Sequence, residues 1–176
     1  YESLRATQSL SAELIWLSKS SIPKGRTAQM AFWINTYNLL TLKLVVDHPG
    51  IRSLKDLDNG DVWNSRSFKV ANKMLTLNDI EHKILRPMND PRIHAAISCA
   101  SKSCPPLSNR AYTEQNIDEL LNTASKYWIQ ANAVLISTDN IQLTPIFSWY
   151  SEDFSNYSVY SPKLPKKKQG PIGFIL

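Results

Sequence analysis

The chain has 176 residues, of which 43% are hydrophobic and 20% are charged. This length fits one domain, and this composition excludes a largely disordered chain; no apolar run is long enough to span a bilayer, so we expect no transmembrane segment. The net charge of +5 includes a run of three lysines near the Pro-rich end of the chain, and without a nucleic-acid motif we expect no specific nucleic-acid binding.

The first part of the chain predicts two helices. Leu10, Leu14 and Leu17 recur at helical spacing, and a Ser-, Pro- and Gly-containing break at 20–25 ends this amphipathic helix. A second helix is predicted over Thr27–Asp47, with its first residue as the cap. Because this helix is apolar on nearly every side, we expect most of its faces to be buried.

Two short strands and a helix are predicted next. Phe68–Val70 and Met74–Leu77 flank a polar turn, which is typical of a hairpin. Thr76 is placed to cap a helix over Leu77–Leu85, and Pro87 ends it. The segment Ile93–Cys99, which leads into the cysteines, is predicted to be a buried strand, although its periodicity alone also allows a short helix.

The rest of the chain alternates helical and hairpin patterns, at Ile117–Ala131, 134–143 and Pro145–Tyr150. Helices mixed with antiparallel hairpins predict an α+β fold, in which helices pack on a short antiparallel or mixed sheet. We expect one globular domain at 1–154 and a Pro- and Lys-rich tail at 155–176, packed on the body. The chain begins within a helical pattern, so we expect an excised fragment from which no compartment can be read.

Both cysteines and one of the three histidines lie in residues 92–107, which makes this segment the centre of any chemistry. Cys99 is a nucleophile if its thiol is exposed and an imidazole lowers its pKa, whereas a free cysteine is also common as a small buried hydrophobic residue. Cys99 and Cys104 are close enough in sequence to form a disulfide. With His82 and His94 they could form a zinc site, but the spacings lack the tight pairs typical of zinc, so we expect no metal and no cofactor.

The choice of base depends on the predicted strand. His94 and Cys99 lie five apart and would point to opposite faces of a strand. His82, on a separate helix, is therefore the predicted base, and His94 is the alternate.

Carboxylates and amides complete the predicted site. Asp153 is expected to orient the base, and Glu81 is a second candidate for that role. Asn35 and Asn38 share one face of the second helix and are expected to polarise a carbonyl or orient the imidazole. The alternative is structural: Glu81 pairs with Arg86 or Arg92, Asp153 caps a turn, and the amides are satisfied in the core.

Four segments stand in a fixed order along the chain: AFWINTYN at 31–38, LNDIEHKILR at 77–86, RIHAAISCASKSCPPL at 92–107 and FSWYSEDF at 147–154. Together they resemble the motifs FWINxYN, IEHxILR, RIHxALxCASxSCPPL and WYxxDF of domain-of-unknown-function family 547, over residues 27–154. The chain departs from the pattern at Ala95, where an aromatic residue is usual.

The resemblance implies relatives in bacteria, often exported, and in plants and animals, where the domain is attached to other segments. In the plant members that the resemblance implies, the cysteine that matches Cys99 is retained. The residue that matches Cys104 is serine, and the histidine that matches His82 is replaced. This favours Cys99 as the key thiol. It also implies that catalysis need not be universal in the family.

Three functions follow as hypotheses. The leading one is a cysteine-dependent acyl-transfer enzyme or amide/thioester hydrolase of the papain/transglutaminase-like reaction type, acting on a peptide or a small amide or thioester. The second is a non-catalytic module that binds a protein partner, with Cys99 in the core. The third is a zinc or redox site built on both cysteines. An enzyme requires Cys99 and an imidazole in one open cleft.

Overall fold

Two long helices open the chain in the computed structural model, which describes residues 2–100, 104–132, 134–137, 140–157 and 166–175. Helix α1 spans Glu2–Lys19 and helix α2 spans Arg26–Asp47, as predicted. The predicted cap at Thr27 is wrong, because α2 begins one residue earlier. Gly25 precedes it at φ 88°, a backbone conformation that favours glycine, and no side chain caps the helix.

The middle of the chain contains short elements: 3₁₀ turns at Leu54–Asp56 and Asp58–Gly60, α3 at Val62–Ser65, β1 at Ser67–Val70 and β2 at Lys73–Thr76. Strands β1 and β2 pair antiparallel, with Phe68 opposite Leu75. Ala71 and Asn72 between them both have positive φ, which matches the twist that a two-residue hairpin requires. The predicted hairpin is confirmed.

A capping box starts the helix that follows β2. The Oγ1 of Thr76 accepts from the backbone N–H of Asp79 at 3.0 Å, and the Asp79 carboxylate accepts from the N–H of Thr76 at 2.9 Å. The helix then takes a π-helical form over Asp79–Leu85, a rare conformation that is frequent at functional sites. A 3₁₀ turn at Arg86–Met88, which contains Pro87, ends it.

The predicted strand at Ile93–Cys99 is wrong. A 3₁₀ helix occupies Pro91–Ala95, and irregular backbone follows it. The carbonyl of Ala96 and the N–H of Ser98 are bonded to the side-chain amide of Asn38 on α2. That amide satisfies the backbone groups that a neighbouring strand would otherwise have to pair.

The later elements match the predicted order: α4 at Ile117–Asn132, β3 at Val134–Ser137, β4 at Asn140–Gln142, α5 at Ile146–Trp149, a 3₁₀ segment at Ser151–Tyr157 and α6 at Lys166–Ile175. Thr113 and Asn116 form the cap before α4 by exchanging side chain–backbone hydrogen bonds. Strands β3 and β4 pair antiparallel. The tip of this hairpin lies outside the described residues.

Helix α6 packs on the 3₁₀ segment that precedes it in the described chain. A Cβ on Gly170 would lie only 2.4 Å from the carbonyl oxygen of Phe154, so this approach requires glycine. The ring of Phe174 meets that of Phe154 edge to face, with centroids 5.0 Å apart. The described part of the predicted tail thus lies against the body.

Helices around small antiparallel sheets give the α+β fold that the sequence predicts. The described strands form two separate two-stranded sheets. The main core is built on α2, with Trp33, Ile34 and Leu40 buried, and a second cluster contains Trp128 and Phe154. In the part of the chain that the structure describes, no helix has the length and apolarity to cross a membrane.

Candidate functional site

A cavity of about 390 Å³ is lined by residues from both hydrophobic clusters. Its wall brings together four of the predicted site residues, Glu81, His82, His94 and Cys99. The other polar and aromatic residues of the wall are Tyr37, Lys55, Trp63, Asn78, Trp149 and Tyr150. A concave, mostly apolar site with a few convergent polar groups is the usual form of a ligand or active site.

Asp153 binds both a histidine and an arginine beside this cavity. The Nε and Nη2 of Arg86 donate to its two oxygens at 2.7 and 2.8 Å, and the Nε2 of His94 lies 2.8 Å from Oδ2. Burial raises the pKa of Asp153, but the hydrogen bonds from His94 and Arg86 lower it by more, so the net pKa lies well below the usual range. The carboxylate is therefore ionised at neutral pH.

An ionised carboxylate can only accept, so the Nε2 of His94 must carry a hydrogen. In the neutral ring, Nδ1 then has the lone pair. His94 is 2% exposed, and its ring stacks on Tyr150 at a centroid distance of 4.4 Å. Asp153 therefore orients His94, the alternate base in the sequence analysis, and not His82.

Arg86 also reaches the second histidine of the cavity. Its Nη1 lies 2.9 Å from the Nδ1 of His82. A guanidinium has no acceptor, so Nδ1 of His82 must accept and, in the neutral ring, Nε2 carries the hydrogen. A base needs a lone pair on the nitrogen that faces the substrate, whereas the available nitrogen of His82, Nε2, carries a hydrogen. His82 therefore differs from the predicted base.

Glu81 faces phenols. It is 9% exposed, and it accepts from the Oη of Tyr37 at 3.1 Å. Burial raises the pKa of Tyr37 and of Tyr150, and in both cases the negative charge of Glu81 raises it further. Both phenols therefore stay protonated and act as donors. Glu81 is therefore bonded to Tyr37 and raises the pKa of Tyr150, and it is not bonded to either imidazole in the described contacts.

Cys99 and Cys104 form a disulfide, with their Cα atoms 6.0 Å apart and a sequence separation of 5. A disulfide has no thiol to ionise, so Cys99 becomes a nucleophile only after reduction. The same pairing removes both thiolates as zinc ligands. Within the described ranges, no group of three or more His, Cys, Asp or Glu residues is placed to hold a metal ion.

Asn35 and Asn38 hold the chain on either side of the cysteines. The amide of Asn35 donates to the carbonyl of Tyr112 at 2.7 Å and accepts from its N–H at 3.0 Å. Asn38 donates to the carbonyl of Ala96 at 2.8 Å and accepts from the N–H of Ser98 at 2.9 Å. Both ends of each amide are engaged by backbone, which differs from the predicted role beside a substrate carbonyl or an imidazole.

Arg86 and Tyr150 are site residues that the sequence did not single out. Arg86 was predicted to pair with Glu81, and Tyr150 was predicted only as the end of a helical pattern. The i, i+4 spacing of His82 and Arg86 is the signal that could have placed them together. Trp149 is 66% exposed and lies on the cavity wall.

Residues 23–129 match the model of a protein family described as "Protein of unknown function, DUF547". The matched range contains His82, Arg86, His94 and both cysteines, and it ends before Asp153. No curated protein and no solved structure matches the chain.

Proposed function

The chain belongs to the DUF547 family, and we propose that the cavity is the active site of a cysteine-dependent acyl-transfer enzyme or amide/thioester hydrolase. The observation that carries the proposal is the His94–Asp153 pair at a cavity that Cys99 also lines. The hydrogen bond to Asp153 holds the imidazole hydrogen on Nε2 and leaves the lone pair of Nδ1 for a proton. This is the arrangement that a general base needs next to a nucleophile.

The chemistry begins with reduction. A dithiol reductant breaks the Cys99–Cys104 bond and is itself oxidised to a disulfide, which leaves two thiols on the protein. The Nδ1 of His94 takes the proton of the Cys99 thiol, and the thiolate forms a bond to the acyl carbon of the substrate. The imidazolium returns the proton to the leaving amine or thiol. Water then attacks the thioester with His94 as base, and releases the acid and the Cys99 thiol.

The shape of the cavity limits the substrate. A volume of about 390 Å³ with an aromatic wall suits a small acyl group or one side chain of a peptide. Trp149 at 66% exposure offers a ring to the remainder of a longer substrate. A peptide or a small amide or thioester is therefore the substrate class that we propose.

Detection of the acyl-enzyme tests this proposal. The protein is reduced, freed of reductant and mixed with an activated acyl thioester, and the acyl group is located by peptide mass spectrometry. We expect acylation at Cys99, its loss in His94→Ala and its retention in His48→Ala. His48 is a matched control because it lies elsewhere, bonded to the carbonyl of Leu44 and to Arg66. Equal acylation of Cys99 and Cys104, or none, would contradict an active site.

A second candidate is the non-catalytic protein-interaction module. Two observations favour it: the disulfide leaves no thiol at Cys99, and Trp149 is exposed at the cavity wall. In this case the disulfide fixes the wall and the exposed ring receives a partner side chain. Reduced protein that gives no acyl-enzyme but loses partner binding in Trp149→Ala would favour the module.

A further inference from the structure

We infer that His82 is a catalytic hydrogen-bond donor to the acyl oxygen of the substrate, and that Arg86 is the positioning residue that makes it one. The inference deepens the proposed acyl transfer and rests on it. It assigns different roles to the two histidines of the cavity, because each uses a different ring nitrogen for its contact with the protein.

Arg86 joins both histidines through one guanidinium. Its Nε and Nη2 hold Asp153, which in turn holds the Nε2 of His94, and its Nη1 holds the Nδ1 of His82. A guanidinium stays charged and donates at any pH at which the protein is folded. The nitrogen that each histidine has left for a ligand is therefore fixed: Nδ1, an acceptor, on His94 and Nε2–H, a donor, on His82.

The two imidazoles lie against the same ring. Tyr150 stacks with His94 at a centroid distance of 4.4 Å and with His82 at 6.0 Å, at interplanar angles of 28° and 30°. The guanidinium carbon of Arg86 lies 5.0 Å from the centre of that ring. Both histidines line the cavity, so one acceptor and one donor are available to one substrate.

Acyl transfer needs both an acceptor for the thiol proton and a donor for the acyl oxygen. The base takes the thiol proton, and negative charge then develops on the carbonyl oxygen of the tetrahedral intermediate. A fixed N–H donor directed at that oxygen lowers the barrier, and its removal typically reduces the rate about 10²–10³-fold. Because the Nδ1 of His82 already accepts from Arg86, His82 cannot serve as base through that atom. Its Nε2–H is suited to bind the oxyanion.

Two reactions of the same thiol separate the roles. Alkylation of Cys99 by iodoacetamide needs the thiolate but forms no oxyanion, whereas acylation by an activated aryl ester such as 4-nitrophenyl acetate forms one. Both rates are measured at Cys99 by peptide mass spectrometry on reduced protein, in wild type, His82→Ala, His82→Gln and His94→Ala. Thermal unfolding of each variant verifies that it is folded.

We expect His82→Ala to lower the acylation rate about 10²-fold or more, and to leave the alkylation rate and its pH profile within about twofold of wild type. His82→Gln, which keeps an N–H donor, should recover part of the acylation, and His94→Ala should lower both rates. A His82→Ala variant that loses both rates equally, or neither, would overturn the donor role. Absence of acylation in wild type would instead overturn the proposed function.

Discussion

Asp153→Asn is the substitution whose effect the structure defines most fully. The amide keeps the shape of the carboxylate but loses its charge, and it turns one of two acceptors into a donor. Arg86 then loses one of two hydrogen bonds and its counter-ion, and His94 keeps an acceptor only when the amide oxygen takes the place of Oδ2. Breaking a buried pair costs about 3–5 kcal/mol. Here the side chains of Asp153 and Arg86 are 18% and 26% exposed, so we expect a smaller loss. Urea unfolding at pH 7 should show the free energy of unfolding lowered by about 2–3 kcal/mol.

The same substitution has a defined dependence on pH. The pKa of Asp153 is lowered in the fold, so its contribution to stability is fully present above the pKa of an unfolded aspartate, about 3.9, and is lost as the pH falls toward the folded value. The difference in unfolding free energy between wild type and Asp153→Asn should therefore shrink steadily below pH 4.

Asp118→Asn is the matched control. Asp118 also bonds an arginine, Arg92 at 3.0 Å, but its side chain is 79% exposed. An exposed pair is worth about 0–1 kcal/mol, so this variant should barely change stability. Equal losses in Asp118→Asn and Asp153→Asn, or a difference for Asp153 that stays constant from pH 7 to pH 3, would refute the reasoning.

Three further perturbations test the fold. Asn38→Ala leaves two backbone groups before the cysteines without partners and should lower the free energy of unfolding in urea by about 2–4 kcal/mol. A loss under about 0.5 kcal/mol would contradict the role of the Asn38 amide in holding that backbone. Gly170→Ala forces a Cβ onto the carbonyl of Phe154 and should cost about 1–3 kcal/mol and reduce amide protection over 166–175; unchanged hydrogen exchange there would contradict the packing. Burial raises the pKa of Tyr112 to about 12, so its contribution to stability is present below pH 10 and lost as the pH rises toward 12. In an ultraviolet titration, Tyr112→Phe should show one fewer phenol that ionises at high pH than wild type. An unchanged titration would contradict the raised pKa of Tyr112.

Elements with a clear apolar period could be predicted from the sequence, as α1 and α4 were. The π-helical form of Asp79–Leu85 could not, because its shift from i−4 to i−5 hydrogen bonds leaves little trace in a seven-residue pattern. The strand predicted at Ile93–Cys99 failed for a different reason. Its backbone partner is the side chain of Asn38, which is distant in sequence, and a local apolar run cannot reveal it.

The sequence predicts which residues lie at the site better than it predicts which of them contact one another. The sequence placed His82, His94, Cys99 and Asp153 in one group, and the structure gathers them beside one cavity. It favoured His82 as base only because a strand would have turned His94 away from Cys99. A 3₁₀ helix replaces that strand, and Asp153 is bonded to His94, which is why we propose His94 as the base.

The most direct test of the proposed Cys99–His94 pair is the pH dependence of iodoacetamide labelling in the reduced protein. Labelling of Cys99 and Cys104 is followed separately by mass spectrometry in wild type, His94→Ala and His48→Ala. A thiolate stabilised by His94 predicts that Cys99 labels at least tenfold faster than Cys104 at pH 6, that His94→Ala removes this difference and that His48→Ala does not. Equal labelling of the two thiols at pH 6, each rising only near pH 8.5, would contradict the pair and leave the interaction module as the better account.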